Sequence, residues 1–132
     1  PIRADGSLGP ATAVVQHEGH GADPGRQKGP HAHSILVDDA HGLAYAADLG
    51  TDKLMVYRID FATGKLTAAN PPFVPLHPGA GPRHMALSPN GRFLYVINEL
   101  DSTVSIFQRD SAAAVHPHVQ TISTLPAGFT GR

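Results

Sequence analysis

The histidines of this chain are the side chains whose spacing first suggests chemistry. His31 and His33 flank a single alanine, and His116 and His118 flank a single proline. Alternate residues of an extended strand point to the same side, so either pair could present two imidazoles to one zinc ion. The sequence places no third ligand beside either pair. We therefore predict no metal site, which leaves the imidazoles for acid and base chemistry near neutral pH.

Arg83 is the second candidate for chemistry. It lies between Gly81-Pro82, which predicts a turn, and His84, which opens a short apolar run. A guanidinium at such a position can bind a carboxylate, a phosphate or a developing oxyanion. The alternative is that Arg83 pairs with a carboxylate of a neighbouring element and has a structural role. The position between a turn and a strand start favours a functional site.

Two stretches of the chain repeat one another, and this repeat predicts the elements that position these residues. Tyr45 and Tyr95 lie 50 residues apart, whereas His33 and His84 lie 51 residues apart. We therefore expect the second copy to lose one residue in its first turn. A repeat of this length built from short strands predicts propeller blades, each a four-stranded sheet that packs against its neighbours around an axis.

The predicted fold class is all-β. Glycine and proline, 14 and 12 residues, separate short β-rich runs, and no apolar stripe continues at helical spacing. We predict a β-propeller fragment of about two full four-stranded blades, residues 31–77 and 83–126, plus a remnant of a preceding blade. Residues 1–20 are predicted to be outer strands of that preceding blade, with one strand at Ala11–His17.

The connections between these strands follow from turn-forming residues. Gly19–Pro30 is predicted to be a loop that crosses from one blade to the next, and Gly64 is predicted to have positive φ in a tight turn. A remodelled connection is expected at Asp110–His116. Asp48 and Asn98 occupy matching positions, where each side chain is expected to cap the turn that follows it.

Composition excludes several classes of partner and site. The formal net charge is −1 without a basic run, so we predict no nucleic-acid partner and no anionic membrane partner. No apolar stretch approaches the roughly 18 residues of a membrane span. The chain has no cysteine, which excludes disulfides, thiolate nucleophiles and cysteine-bound zinc. This composition fits a reducing compartment, and we predict a cytoplasmic location.

Five short motifs extend this interpretation: Gly29–Ser34, Ala47–Lys53, Gly81–His84, Asn98–Leu100 and Ser123–Phe129. In combination they resemble the lactonase-type seven-bladed propellers, a family of bacterial propeller 6-phosphogluconolactonases and fungal 3-carboxy-cis,cis-muconate lactonizing enzymes. The resemblance runs almost from end to end of the chain and covers the middle portion of a family member.

The resemblance implies an active site near the propeller axis. Its catalytic residues would be His33, Arg83 and Glu99, and His31 and His84 would support them or contact the substrate. The resemblance also implies a small-molecule lactone as substrate, no cofactor and no metal. From the residue types alone, His33 could instead be a structural histidine between blades, and Glu99 could be a solvated carboxylate.

These residue types fit the opening of a lactone. His33, with an ordinary pKa of about 6.5, could activate water as a general base. Arg83 could stabilise the oxyanion or bind a phosphate or carboxylate of the substrate. Glu99 could orient His33 or share its role as base.

The leading prediction is a lactone hydrolase of carbohydrate metabolism that resembles 6-phosphogluconolactonase and opens a sugar lactone by base-assisted attack of water. One alternative is a 3-carboxy-cis,cis-muconate cyclase-type enzyme, in which the same site closes a ring. Another is a noncatalytic propeller fragment that acts as a binding or assembly scaffold.

Open β edges at the predicted blades lead us to expect self-association, or association with the rest of the propeller. We also expect blade faces that carry Tyr45, Tyr95, Val56 and Ile106 to lack part of their apolar neighbours.

Overall fold

Eight β-strands account for the regular structure in the described part of the chain. In a computed structural model, which describes residues 1–109 and 117–130, the strands are β1 (Ala32–Asp38), β2 (Leu43–Asp48), β3 (Lys53–Asp60), β4 (Lys65–Pro75), β5 (Pro82–Leu87), β6 (Phe93–Asn98), β7 (Thr103–Gln108) and β8 (His118–Ser123). They form two four-stranded antiparallel sheets, ordered β1-β2-β3-β4 and β5-β6-β7-β8. The described residues contain no helix, and so none that could cross a membrane. The predicted all-β class is confirmed.

The hairpin turns use residues that tolerate left-handed backbone. Gly64 has φ 70°, as predicted, in the turn between β3 and β4. Asp60 accepts the backbone N–H of Ala62 at 2.9 Å and so closes the same turn. Gly19–Pro30 contains no strand and crosses to β1, in agreement with the predicted loop. The connection predicted at Asp110–His116 lies outside the described residues.

The two sheets pack against each other through an apolar core. β5 of the second sheet lies against β1 and β2 of the first. The buried core residues are Leu43, Tyr45, Ala47, Leu54, Val56, Ala69, Val74, Leu94, Val96 and Phe107. Full burial of a leucine, valine or phenylalanine side chain typically contributes about 1.5–3 kcal/mol. The expectation that Tyr45 and Val56 lack apolar neighbours is wrong, because β6 and β7 supply them. Tyr95 points away from this core and is 37% exposed.

β1 and β5 each contain a β-bulge at the same point of the repeat. The pairing of β1 with β2 shifts by one residue at His33, and the pairing of β5 with β6 shifts at Arg83. His33 therefore corresponds to Arg83, not to His84, and these two residues are again 50 apart. The expected loss of one residue in the first turn is wrong, because the repeat is uniform here. Bulges redirect side chains and are common beside functional sites.

The first twenty residues contain one isolated β-bridge, between Ile2 and Leu8. Ala11–His17 forms no strand, so the predicted strand is wrong. No neighbouring strand pairs with this backbone; instead, the Thr12 hydroxyl donates to the carbonyl of Gly64 at 3.0 Å. The boundaries assigned to the blades, and the assignment of residues 1–20 to a preceding blade, stay predictions.

The turn after β2 packs tightly against the start of β1. The backbone N–H of Leu49 donates to the His31 carbonyl at 3.0 Å. A Cβ atom on Gly50 would lie 2.0 Å from the carbonyl oxygen of Gly29 and 2.7 Å from the backbone nitrogen of His31. Both of these neighbours are backbone atoms, so no side chain can move to make room. The absence of a side chain at Gly50 therefore allows the turn after β2 to pack against the backbone of Gly29 and His31, just before β1.

We expect Gly50→Ala to lower the free energy of unfolding by about 1–3 kcal/mol, the usual cost of overpacking. Gly29→Ala is the matched control, because a Cβ atom there meets nothing within 4 Å. Thermal unfolding followed by circular dichroism measures both variants. Equal melting temperatures for the two variants would contradict the close approach described for Gly50.

Candidate active site

His33, Arg83 and Glu99 form one contiguous polar cluster. Arg83 Nε donates a hydrogen bond to His33 Nε2 at 3.0 Å and lies 2.9 Å from Glu99 Oε2. The two bulges bring His33 and Arg83 together from adjacent sheets, and Glu99 follows directly after β6. The structure thus places the three predicted residues in contact, and their catalytic roles stay predictions.

Two further imidazoles surround His33. The rings of His31 and His33 are stacked with centroids 5.9 Å apart, and the ring of His84 meets His33 edge-on at 5.1 Å. His31 and His84 therefore contact the predicted catalytic histidine, and their supporting roles stay predictions. The second histidine pair considered in the sequence, His116 and His118, lies partly outside the described residues, which do not include His116. Within the described part of the chain, no three histidine or carboxylate groups come close enough to hold a metal ion.

His33 is held as a neutral imidazole. Burial lowers its pKa, and the positive charges of Arg83 and His84 lower it further, while Glu99 acts in the opposite direction. Because Nε2 accepts a hydrogen bond from Arg83, the proton of the neutral ring lies on Nδ1. Nδ1 is buried and finds no partner among the described residues. The lone pair that could accept a proton is therefore on Nε2, at the Arg83 contact.

Arg26 is a member of this cluster that the sequence analysis missed. Its Nη2 atom lies 2.5 Å from Glu99 Oε1, across 73 positions of sequence. This hydrogen bond is the largest cause that lowers the pKa of Glu99, and the charges of Arg26 and Arg83 add to it, while burial opposes them. A carboxylate paired with two guanidiniums stays ionised and is a weak base. Glu99 thus contacts two arginines rather than orienting His33 by a direct hydrogen bond.

His17 is a second residue to which the sequence analysis gave no role. It is buried, with Nδ1 2.6 Å from Asp48 Oδ2 and Nε2 2.9 Å from the Tyr57 hydroxyl. Asp48 caps the following turn as predicted, accepting the N–H of Gly50 at 3.0 Å. The same carboxylate accepts the N–H of His31 at 2.8 Å. His17 and Asp48 therefore fix the backbone from which the histidine cluster projects.

The cluster lies at the boundary of two cavities. Arg83, His84 and Glu99 line a cavity of about 320 Å³, together with Ser102 and Thr124. His33 borders a second cavity of about 360 Å³, lined mainly by apolar side chains. Ligand sites usually measure about 300–1,000 Å³. The first cavity combines this size with several polar and charged side chains, so it is the better candidate for a polar ligand.

Known proteins are similar to this chain in sequence and in architecture. The family described as lactonase, 7-bladed beta-propeller, matches residues 1–132. A 6-phosphogluconolactonase of Pectobacterium carotovorum subsp. carotovorum is 38% identical over 98% of this chain and 35% of its own length. One of Bacillus subtilis is 35% identical over 98% of this chain and 36% of its own length.

Solved structures agree with these sequence matches. The periplasmic gluconolactonase of Pseudomonas aeruginosa superimposes with a TM-score of 0.89 at 40% identity, covering 100% of this chain and 36% of that one. A 6-phosphogluconolactonase of Bacteroides fragilis, described as putative, gives 0.86 at 32% identity over 96% of this chain and 37% of that one. The chain thus spans little more than a third of the length of its relatives. It belongs to the lactonase family of seven-bladed β-propellers.

Proposed function

We propose that the protein is a lactone hydrolase that opens a sugar lactone, the activity after which its 6-phosphogluconolactonase relatives are named. The observation that carries the proposal is the contact between His33 and Arg83. A neutral imidazole lies 3.0 Å from a guanidinium beside a polar cavity. Lactone hydrolysis requires these two groups, a base for water and a cation for the oxyanion.

The reaction follows from the atoms of these two side chains. Water attacks the lactone carbonyl carbon while its proton passes to His33 Nε2, and the carbonyl oxygen becomes an oxyanion beside Arg83. Collapse of this intermediate breaks the ring C–O bond. The proton held on His33 passes to the leaving alkoxide, which restores the neutral imidazole and yields the open-chain hydroxy acid.

Arg83 has to move for this reaction to occur. Its Nε atom donates to the same His33 Nε2 lone pair that must accept the proton. A substrate that draws the guanidinium toward its carbonyl oxygen frees Nε2 for water. Glu99, bound to Arg83 at 2.9 Å, keeps the guanidinium near the cavity during this movement. The carboxylate therefore positions a cation instead of serving as the base.

Hydrolysis assays with the purified protein test the proposal. The substrates are glucono-δ-lactone, 6-phosphogluconolactone and 3-carboxymuconate, each compared with its spontaneous rate. Accelerated opening of either sugar lactone supports the proposal. Ring closure of the muconate alone would favour the cyclase-type enzyme, and no acceleration of any substrate would favour the scaffold. The predicted cytoplasmic location and the predicted association of chains stay predictions.

The pH dependence of kcat/KM is expected to follow the protonation of the His33 imidazole in the free enzyme. Because burial and the charges of Arg83 and His84 lower the pKa of His33, the base is already deprotonated at neutral pH. We expect kcat/KM to fall on acidification with a midpoint below the ordinary histidine value of about 6.5. Stopped-flow pH profiles, corrected for spontaneous opening, measure this midpoint. A midpoint above the ordinary value would contradict the environment described for His33.

A further inference from the structure

Asp52 places a buried carboxylate directly before β3. The residue is 7% exposed, and no ion pair in the described part of the chain includes it. Three N–H donors compensate its charge instead. Oδ1 accepts Gln27 Nε2 at 2.7 Å and the backbone N–H of Gly81 at 2.8 Å, and Oδ2 accepts the backbone N–H of Gly79 at 2.8 Å. A buried charge without such bonds is costly, so the carboxylate and its three donors depend on one another.

The glycines bound by Asp52 belong to the segment that carries Arg83 into β5. Gly79 and Gly81 precede Arg83 in the chain, and Gly81 is separated from it by one residue. The carbonyl of Gly81 also accepts the backbone N–H of Glu99 at 2.8 Å. Asp52 therefore fixes the backbone that leads to Arg83 directly, and it fixes the backbone of Glu99 through Gly81.

The third donor belongs to the loop of residues 19–30, which carries Arg26. Gln27 is 1% exposed, and its Nε2 atom also donates to the Leu49 carbonyl at 2.7 Å, in the turn after β2. The buried side chain of Gln27 therefore anchors the backbone of Arg26, whose guanidinium reaches Glu99. One carboxylate thus connects the backbone segments from which both arginines and the glutamate of the cluster project.

The turn that contains Asp52 does not itself require a carboxylate. Ser102 occupies the matching position 50 residues later and has the same left-handed backbone, with φ 56° against 54° for Asp52. Their carbonyls also match, since Asp52 accepts the backbone N–H of Leu76 and Ser102 accepts that of Thr124, both at 2.9 Å. A serine thus forms the same turn. The bonds of the Asp52 side chain therefore serve the segments that it connects rather than the turn.

We propose that Asp52 is a positioning residue of the candidate active site, which sets the backbone of Arg83 so that its guanidinium meets His33. The proposal rests on the proposed function, because it concerns how the groups of that reaction are held. Arg83 has to release His33 Nε2 during the reaction, and a fixed backbone limits the guanidinium to positions beside His33 and the oxyanion. A displacement of about 1 Å at such a site can lower a rate by roughly 100-fold.

Two substitutions at Asp52 remove its bonds to different extents. Asp52→Gly removes all three side-chain bonds and suits the left-handed backbone. Asp52→Asn also suits this backbone and keeps one acceptor oxygen, while its NH2 group cannot accept an N–H. Asp60 carries the same two substitutions as the matched control. Its carboxylate accepts the backbone N–H groups of Ala62 and Thr63 at the other end of β3.

The titration of His33, followed by NMR of its ring protons, reports the position of Arg83 without any substrate. Burial is the largest cause that lowers the pKa of His33, and the charge of Arg83 is the next. The charges of His84 and His31 act in the same direction, whereas Glu99 raises the pKa of His33. Displacement of the guanidinium should therefore raise this pKa.

We expect the midpoint of the His33 titration to be higher in Asp52→Gly than in the wild type, closer to the ordinary value of about 6.5. Direct loss of a negative charge would lower the pKa of a histidine, so a rise cannot come from the missing carboxylate itself. Asp52→Asn should give a smaller rise. Both Asp60 variants should keep the wild-type midpoint.

The same change should slow catalysis. We expect Asp52→Gly to lower kcat for glucono-δ-lactone by roughly 10–100-fold. KM should change less than kcat, because His33 and Arg83 act in the transition state. Asp52→Asn should lose less, and the Asp60 variants should keep the wild-type kcat. Circular dichroism should show that each assayed variant is folded.

Two results would overturn the proposal. One is a wild-type kcat and an unchanged His33 midpoint in folded Asp52→Gly protein. The other is a lower kcat without a rise of the midpoint, which is the result of general loosening of the fold. If Asp52→Gly does not fold, Asp52→Asn decides by the same two measurements.

The two measurements also separate failure of this inference from failure of the proposed function. If the wild type opens no lactone but the His33 midpoint rises in Asp52→Gly, hydrolysis is wrong and the positioning of Arg83 by Asp52 stands. If the wild type opens lactones but the midpoint is unchanged in folded Asp52→Gly protein, the role of Asp52 is wrong and hydrolysis stands.

Discussion

Replacement of His33 with alanine is expected to lower the rate of lactone hydrolysis by roughly 10²–10⁴-fold, the usual contribution of a general base. The loss should appear in kcat, because the imidazole acts on water rather than on binding of the substrate. Initial rates with glucono-δ-lactone, corrected for spontaneous opening, measure it. The expected acidic fall of kcat/KM should disappear in the same variant.

A control histidine distinguishes loss of a base from loss of structure. His20 is exposed on the loop before β1, and its ring contacts the carbonyl of the adjacent Gly21 at 3.1 Å. His20→Ala should therefore keep wild-type rates. Circular dichroism should show that both variants remain folded. A wild-type rate in folded His33→Ala protein would remove His33 from the mechanism.

The fold was largely predictable from the sequence because the repeated segments consist of residues that favour β-strands. The repeated apolar runs predicted two four-stranded sheets. Gly64 predicted a tight turn, because glycine adopts positive φ more readily than other residues. The β-bulges at His33 and Arg83 were not predicted. A bulge changes strand pairing without changing composition, so an alignment that matched histidine with histidine placed the repeat one residue out of register. A constant interval of 50 residues would have matched His33 with Arg83.

Only the residues of the candidate site that lie within the repeated segments were predictable from the sequence. His33 and Arg83 occupy matching positions on neighbouring sheets, so sequence reasoning could place them at the same depth. Arg26 lies on an irregular loop, and no spacing rule connects it with Glu99. His17 was missed for a related reason. Its strand was expected to pair at a sheet edge, whereas the structure uses the side chain to reach Asp48.

The end of the molecule opposite the site holds the two sheets together by a buried ion pair. Arg109, after β7, donates from Nη2 to Asp38 Oδ2 at the end of β1, and from Nη1 to the Gly91 carbonyl at 2.8 Å. His41 Nδ1 contacts the same Asp38 oxygen at 2.9 Å. Asp38 is 5% exposed and Arg109 is 8% exposed. Both charged groups are therefore shielded from water, and the attraction between them offsets the cost of their desolvation.

Asp38→Ala is expected to lower the free energy of unfolding by about 3–5 kcal/mol, because it leaves the Arg109 charge buried without its partner. Asp39→Ala, which removes the adjacent exposed carboxylate, should change stability by less than about 0.5 kcal/mol. Urea unfolding of both variants measures the difference. The double variant Asp38→Ala with Arg109→Met should recover part of the loss, since no unpaired charge remains. A double variant as unstable as the sum of its single changes would show that the two side chains act independently.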